Sequence, residues 1–468
     1  MEAPRPQITQ NLIDTLVTNQ YTRWMQELRR TPPDFLTRLQ FARRHLPAEL
    51  AALVVTQIER RERGARKFAM AKQMFFTAEG LEQATGEAIA NYRASCFPDG
   101  VPIFDACCGV GGDALALAKR GRVFAVDADF ETALCARINT TLCLPPESRP
   151  VSVLCADVTK LDLARLAASG IEAAFFDPSR RGGRQNQNRH RVRSAEDYAP
   201  PLAFTNELRR YFSFVAVKVS PAIDDETLFS YPDAAIEFIS QNGECKECLL
   251  WFEALTPQPP LPSLGEGESM PLLANSLSQT WKREEASRDL FSPLSQNWER
   301  GAGGVRASGE RAYTAIVLRS EAPPAVLRPF DCEPLLTDGP RDWLIEPDSA
   351  VIRAHLLAQI GGEFGAALLD RRFAYLTADR FAPTPFATGY RIIEALPYHL
   401  KNVQARLLTL KRRVTAIKKR GVEIDPAELR KRLPGDKNSA DTAILILTRQ
   451  GEKITALICE PPFQSMTE

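Results

Sequence analysis

No stretch of this 468-residue chain approaches the ~18 consecutive apolar residues of a membrane-crossing helix, so no membrane association is expected. Residues 1–10 also lack the apolar core of a secretory signal. Neither sign of charge dominates: 59 Lys and Arg stand against 58 Asp and Glu, a formal net charge of +1, so any contact with a polyanion has to come from local clusters. The ten cysteines are irregularly spaced and follow no secretory signal, which argues for reduced thiols and a cytoplasmic location over a disulfide frame. Only Cys245-x-x-Cys248 has metal-like spacing. It lacks a second pair and runs into apolar Leu249 to Phe252, so a strand is expected there and no metal. With 44% hydrophobic residues, the chain is long enough for two or three domains with a sizeable core.

The most informative stretch that is present is Phe104-Asp105-Ala106-Cys107-Cys108-Gly109-Val110-Gly111-Gly112-Asp113. Apolar Val101 to Phe104 reads as a buried parallel strand and Ala114 to Lys119 as the opening of a helix, so the glycines fall at a strand-to-helix turn. Cofactors bind at such turns. Gly109 and Gly111 remove Cβ atoms that would block a ligand, and Gly112 is expected to supply backbone angles closed to other residues. Arg122 to Val126 reads as a second strand ending in Asp127, placed to meet ribose hydroxyls.

Spacing alone leaves two cofactor classes open, because Gly109-x-Gly111-x-x-Ala114 also satisfies the relaxed dinucleotide fingerprint. Asp105 favours the other class. A carboxylate at the tip of the first strand repels a pyrophosphate but attracts the sulfonium and amino groups of S-adenosylmethionine.

Val151 to Cys155 reads as a third strand, followed by Asp157, whose polar end suits an adenine amine. Ile171 to Phe176 delivers Asp177-Pro178-Ser179-Arg180-Arg181 at the end of a fourth, where open parallel sheets place reactive groups. A fifth, Phe214 to Val219, carries Lys218 near its end, a further cation for the same rim.

These residues resemble the class I S-adenosylmethionine-dependent methyltransferases with a C-terminal THUMP-like domain. The resemblance rests on Asp105 to Asp113, on Val126-Asp-Ala-Asp129 with Ala136-Arg-Ile-Asn139, and on Phe176-Asp-Pro-Ser-Arg-Arg181. Phe76-Thr-Ala-Glu-Gly-Leu-Glu-Gln-Ala-Thr85 and Ile417-Lys-Lys-Arg-Gly-Val422 flank them. It implies an α/β protein: a Rossmann-like methyltransferase sheet, a helical N-terminal region, a smaller α+β THUMP-like domain, and S-adenosylmethionine as cofactor. Asp105, Cys107, Gly109, Gly111, Gly112, Asp127 and Asp157 are the expected cofactor residues, with Cys107 and Cys108 as small, close-packing side chains.

The glycine loop is also similar to that of trimethylguanosine synthases, whose catalytic loop reads Asp-Pro-Pro-Trp. Here Ser179 and Arg180 replace proline and tryptophan, which removes the aromatic that would stack on a base. Asp177, Pro178, Arg180 and Arg181 are the expected catalytic residues: Asp177 orients the acceptor, and the arginines stack on a base or fork onto an anionic part of it. Methyl transfer from a sulfonium depends mainly on positioning, so no nucleophile is required.

Residues 1–98 read as helical, with apolar periodicity from Asn11 to Glu27, Asp34 to Arg44 and Ala48 to Ile58. Residues 99–322 form the expected methyltransferase domain. Within it, residues 256–309, rich in Pro, Ser and Gly, look like a disordered insertion between the two strands of an antiparallel edge, Cys248 to Glu253 and Ala312 to Leu318. Residues 323–468 end in the THUMP-like part at about 390–462, with strands at Arg391 to Leu396, Ala443 to Thr448 and Ile454 to Cys459. Val403 to Lys419 reads as one long helix or as a helix and a strand, and the resemblance favours the second. Pro426 opens a short helix capped by Asp425.

Basic bias at Arg60 to Lys72 and at Arg406 to Arg432 offers contacts for phosphate backbones, and THUMP-like domains are associated with RNA modification. RNA is therefore the expected partner. A small molecule, a protein acceptor, or an inactive RNA-binding module stays open as an alternative.

Overall fold

The computed structural model describes residues 27–28, 34–180, 195, 198–253, 313–320, 322–329, 335–434 and 441–463, with Arg180 described in its backbone only. The expected helix from Asn11, Arg181 and the insertion at 256–309 lie outside the described residues. The described residues divide into two compact units: one runs to Ala234 and resumes at Leu249, and the other comprises Ala235–Cys248 and the residues from Tyr313 onward.

The first unit opens with α1 (Phe35–Arg43), whose N-cap Asp34 accepts from Thr37 N, and α2 (Ala48–Gly64). Pro47 stands at the N-cap of α2. This helix continues past Ile58 because the stem of Arg61 is buried, and its Nε donates to Met74 O at 2.6 Å. Two short helices follow, α3 (Ala78–Gln83) and α4 (Glu87–Ser95).

Five parallel strands come next: β1 (Ile103–Ala106), β2 (Val123–Asp127), β3 (Val151–Cys155), β4 (Ala173–Phe176) and, after a small ladder, Phe214–Val219. The ladder strands are β5 (Ser179–Arg180) and β6 (Tyr198–Ala199), so Phe214–Val219 is β7. Spatial order is β3-β2-β1-β4-β7, every pairing parallel. Chain order therefore reverses between β1 and β4, and a crevice at the carboxyl ends of the strands is the consequence. β1 and β4 are buried along their whole length, as central parallel strands covered on both faces must be.

The connections that matter for the site are α5 (Gly112–Leu117), between β1 and β2, and α6 (Phe130–Cys143), between β2 and β3. The N-terminal helices pack on α6 and on the glycine turn in one apolar cluster that includes Val54, Ile58, Phe76, Leu81, Val110, Leu134 and Ile138. Asn139, fully buried in α6, is the polar tie: its amide donates to Phe75 O at 2.9 Å and Val110 O at 2.8 Å, and its Oδ1 accepts from Phe75 N at 2.7 Å. The helical region is thus bonded to the loop it covers.

In the second unit, β8 (Ala235–Gln241) turns at Asn242-Gly243, both at positive φ, into β9 (Glu244–Glu253), whose residues from Leu249 belong to the first unit. A two-residue turn of this kind matches the twist of a hairpin. Cys245 and Cys248, three apart on a strand, point to opposite faces, so that pair is a strand, as read from sequence. β10 (Tyr313–Leu318) runs parallel to β8 and pairs with β11 (Ala325–Leu327). The antiparallel edge expected of β9 and β10 is not formed, since β10 pairs with β8, a strand the sequence pattern does not predict: Glu237 and Ser240 interrupt its apolar run, yet both are buried.

The rest of this unit is an eight-stranded sheet ordered β12-β14-β15-β13-β16-β19-β18-β17. Its strands are β12 (Leu335–Leu336), β13 (Trp343–Pro347), β14 (Ala367–Asp370), β15 (Phe373–Ala378), β16 (Ala387–Pro397), β17 (Arg413–Lys419), β18 (Thr442–Gln450) and β19 (Lys453–Cys459). Leu400–Thr409 is helical and Arg413–Lys419 a strand, which resolves the ambiguity of Val403 to Lys419 in favour of helix then strand. The helix Pro426–Arg432 carries the expected Asp425 cap, which accepts from Ala427 N at 2.7 Å.

Candidate active site

The site is built at the carboxyl ends of β1, β2, β4 and β7, all within the first unit. Past β1 the chain turns sharply: Cys107 has φ 69, Gly109 φ 55 and Gly111 φ 85. Gly109 faces open space, so what demands glycine there is backbone conformation and access. The other two glycines correct the sequence reading. A Cβ on Gly111 would come within 3.1 Å of Ala136 Cα, so the close approach of α6 is what demands the missing side chain there. Gly112 is the first residue of α5 without a positive φ, and a Cβ there would lie 3.0 Å from the Phe68 ring. Its role is packing, not backbone freedom.

Asp105 is the unusual member. Its carboxylate is completely buried and neither oxygen has a hydrogen-bond partner. Burial, followed by the Asp113 and Asp177 carboxylates, drives its pKa well above the ordinary value, while Arg93 works in the opposite direction. Arg93 itself is ion-paired with Asp113 and lies over the Phe175 ring, 4.3 Å from guanidinium carbon to ring centroid. The sequence reading missed Arg93. The signal for it is an arginine on the stripe of α4 that also buries Ile89 and Ala90.

Asp127, at the end of β2, accepts from Gly109 N and Asp129 N, both at 3.0 Å. Burial pushes its pKa up to about 6 against those two bonds. The Cys107 and Cys108 thiols are driven well above the usual range, by burial first and by Asp127 and Asp105 respectively among the neighbouring carboxylates. They stay protonated, which fits small packing side chains. Asp157 is further out and busy: its Oδ1 accepts from Thr159 N and Oγ1, and Lys160 Nζ lies 3.3 Å from Oδ2.

At the end of β4, Asp177 N donates to Ala106 O at 3.2 Å, which seats the residue beside β1. Lys218 Nζ donates to Asp177 Oδ2 at 2.6 Å, so the rim cation foreseen on the fifth strand is paired with the expected catalytic acid. Pro178 is buried. Ser179 and Arg180 then ladder with Ala199 and Tyr198, and Ser220 N donates to the Tyr198 hydroxyl at 2.7 Å, anchoring the loop base to the end of β7. The Arg180 side chain and Arg181 lie outside the described residues.

The two basic runs are largely occupied by the fold. Arg60 and Gln57 donate to Phe76 O, and Lys67 donates to the carbonyls of Leu81, Glu82 and Ala84. In the second unit, Arg406 is bidentate to Glu394, Lys431 pairs with Glu428, and Lys418 and Arg420 face Glu346. Among the described residues, no group of three or more His, Cys, Asp or Glu is arranged to hold a metal, and no helix is long and apolar enough to cross a membrane.

Comparison with known proteins adds three findings. Residues 387–461 match the model of the THUMP domain-like family. An uncharacterised S-adenosylmethionine-dependent methyltransferase of Mycobacterium tuberculosis, strain CDC 1551, is 28% identical over 395 residues, covering 83% of this chain and 89% of the relative; its counterpart in strain H37Rv gives the same figures. A crystal structure of a candidate methyltransferase from Porphyromonas gingivalis W83 superposes with a TM-score of 0.67 at 20% identity, covering 94% of this chain and 96% of that one.

Proposed function

We propose that this chain, a class I methyltransferase fold with a C-terminal THUMP-like domain, transfers a methyl group from S-adenosylmethionine to RNA in the cytoplasm. The cofactor is S-adenosylmethionine, the donor named for the mycobacterial relatives. The observation that carries the reading is Asp105: a buried carboxylate with both oxygens unpartnered, ringed by Asp113, Asp127 and Asp177, is a socket for a cation and repels a pyrophosphate. The donor supplies an electrophilic methyl on a sulfonium. In this reading Asp105 meets its cationic amino-acid end, Asp127 its ribose hydroxyls and Asp157 its adenine amine.

Asp177 accepts a hydrogen bond from the acceptor group and fixes its approach, while Arg180 and Arg181 hold an anionic part of the acceptor. The chemistry then needs only alignment, which alone can supply roughly 7–11 kcal/mol of a barrier. RNA is proposed on the THUMP-like match; with no stacking aromatic after Pro178, Arg180 is left to grip backbone or base. The test is transfer of labelled methyl from S-adenosylmethionine to total RNA, protein and metabolite fractions from cells lacking the protein. Label in RNA supports the reading; label confined to another fraction overturns it.

A further inference from the structure

The geometry points to Lys218 as a positioning residue that aims the Asp177 carboxylate at the acceptor, an inference that rests on the role given to Asp177 above. β7 reads Phe-Val-Ala-Val-Lys-Val, and Lys218 is the one residue in it that is not apolar. A lysine in a buried parallel strand has to be compensated by a partner. The register supplies that partner: Phe176 pairs with Val217, so Asp177 and Lys218 emerge side by side at the strand ends. The lysine side chain is 13% exposed, that of the aspartate 25%, and Nζ meets Oδ2 at 2.6 Å.

Two constraints then fix the acid. The peptide N–H of Asp177 is held by Ala106 O, and one carboxylate oxygen by Lys218. Oδ1 is left with its full acceptor capacity to receive an N–H or O–H from the acceptor, and it is presented in one orientation. Without the lysine the carboxylate turns about its last torsion among the other acids of the rim, and the acceptor loses its guide.

The test uses the full chain and five proteins: wild type, Lys218→Met, Asp177→Asn, the double variant and, as the conservative replacement, Lys218→Arg. S-adenosylmethionine affinity is read by calorimetry, and methyl transfer to total RNA from cells lacking the protein by single turnover. Lys218→Met is expected to slow transfer about 10²-fold, the order reached by small misplacements, while donor affinity stays within about threefold, because the pair guides the acceptor and not the donor. Lys218→Arg recovers part of the rate. The double variant should be no slower than Asp177→Asn alone, because a residue acting through Asp177 has nothing left to position.

Full additivity in the double variant, or an unimpaired Lys218→Met, overturns the inference. Failure of the RNA reading looks different: wild type itself leaves RNA unlabelled. In that case the melting temperatures of wild type, Lys218→Met, Asp177→Asn and the double variant decide, since absence of coupling between the two substitutions refutes the pairing on which the inference stands.

Discussion

The backbone N–H of Gly109 donates to Asp127 Oδ2 at 3.0 Å, so the glycine turn after β1 and the acid after β2 hold each other in place. The residue expected to receive ribose hydroxyls is therefore also a brace for the loop expected to receive the rest of the donor. Asp127→Ala should weaken S-adenosylmethionine binding about 10- to 100-fold, the worth of a hydrogen bond to a charged group. Titration calorimetry checks this; unchanged affinity would remove Asp127 from the donor site.

Donor affinity should fall as pH drops through about 6. Asp127 has a pKa raised to about 6, and Asp105 is raised well above its usual value, so both gain protons in the free protein where ordinary aspartates stay charged. The same shift has a consequence for stability. A carboxylate whose folded pKa exceeds its unfolded value binds protons more tightly when folded, so its contribution to stability is lost as pH rises from about 4 to about 6. For Asp127 the loss is about 3 kcal/mol at most. Melting of the free protein across that window, compared with Asp127→Asn, reads it, and a flat difference between the two would refute the shift.

Gly111→Ala should destabilise the protein by about 1–3 kcal/mol, through a left-handed φ and a contact with the Ala136 backbone at once. Gly109→Ala meets no atom and should cost less stability while still weakening the donor. The contrast between the two melting temperatures, with donor affinity measured on both, separates a packing glycine from an access glycine.

Asn139→Ala removes three buried hydrogen bonds and leaves Phe75 and Val110 backbone groups unpaired. A loss of about 2–5 kcal/mol is expected, with faster hydrogen exchange at Phe75 and in the glycine turn. Exchange faster at Phe75 alone would show that the helical region and the loop are not joined through this side chain.

The strands of the sheet and the acids at their ends were legible because parallel core strands are short apolar runs, and polar residues stand out where those runs stop. Val151–Cys155 and Phe214–Val219 have the boundaries read from sequence. β8 was not legible, since Glu237 and Ser240 look like solvent-facing residues until the buried surroundings are known. Charge partners were also hidden. Lys218 could be placed on the rim, but that it grips Asp177, that Arg93 grips Asp113 from α4, and that Lys418 and Arg420 converge on Glu346 are facts of three-dimensional register. For the glycines the motif gave the positions, while only the neighbours Ala136 and Phe68 revealed which of them serve packing.

The socket at Asp105 is tested most directly by titrating S-adenosylmethionine, and separately NAD, into wild type and Asp105→Asn in a calorimeter at neutral pH. Stoichiometric binding of the sulfonium donor to wild type is expected, with an affinity at least about 10-fold weaker in the variant, by loss of one charge interaction, and no heat from NAD. Tight binding of NAD with no response to S-adenosylmethionine, or an Asp105→Asn variant that binds the donor as well as wild type does, would contradict it.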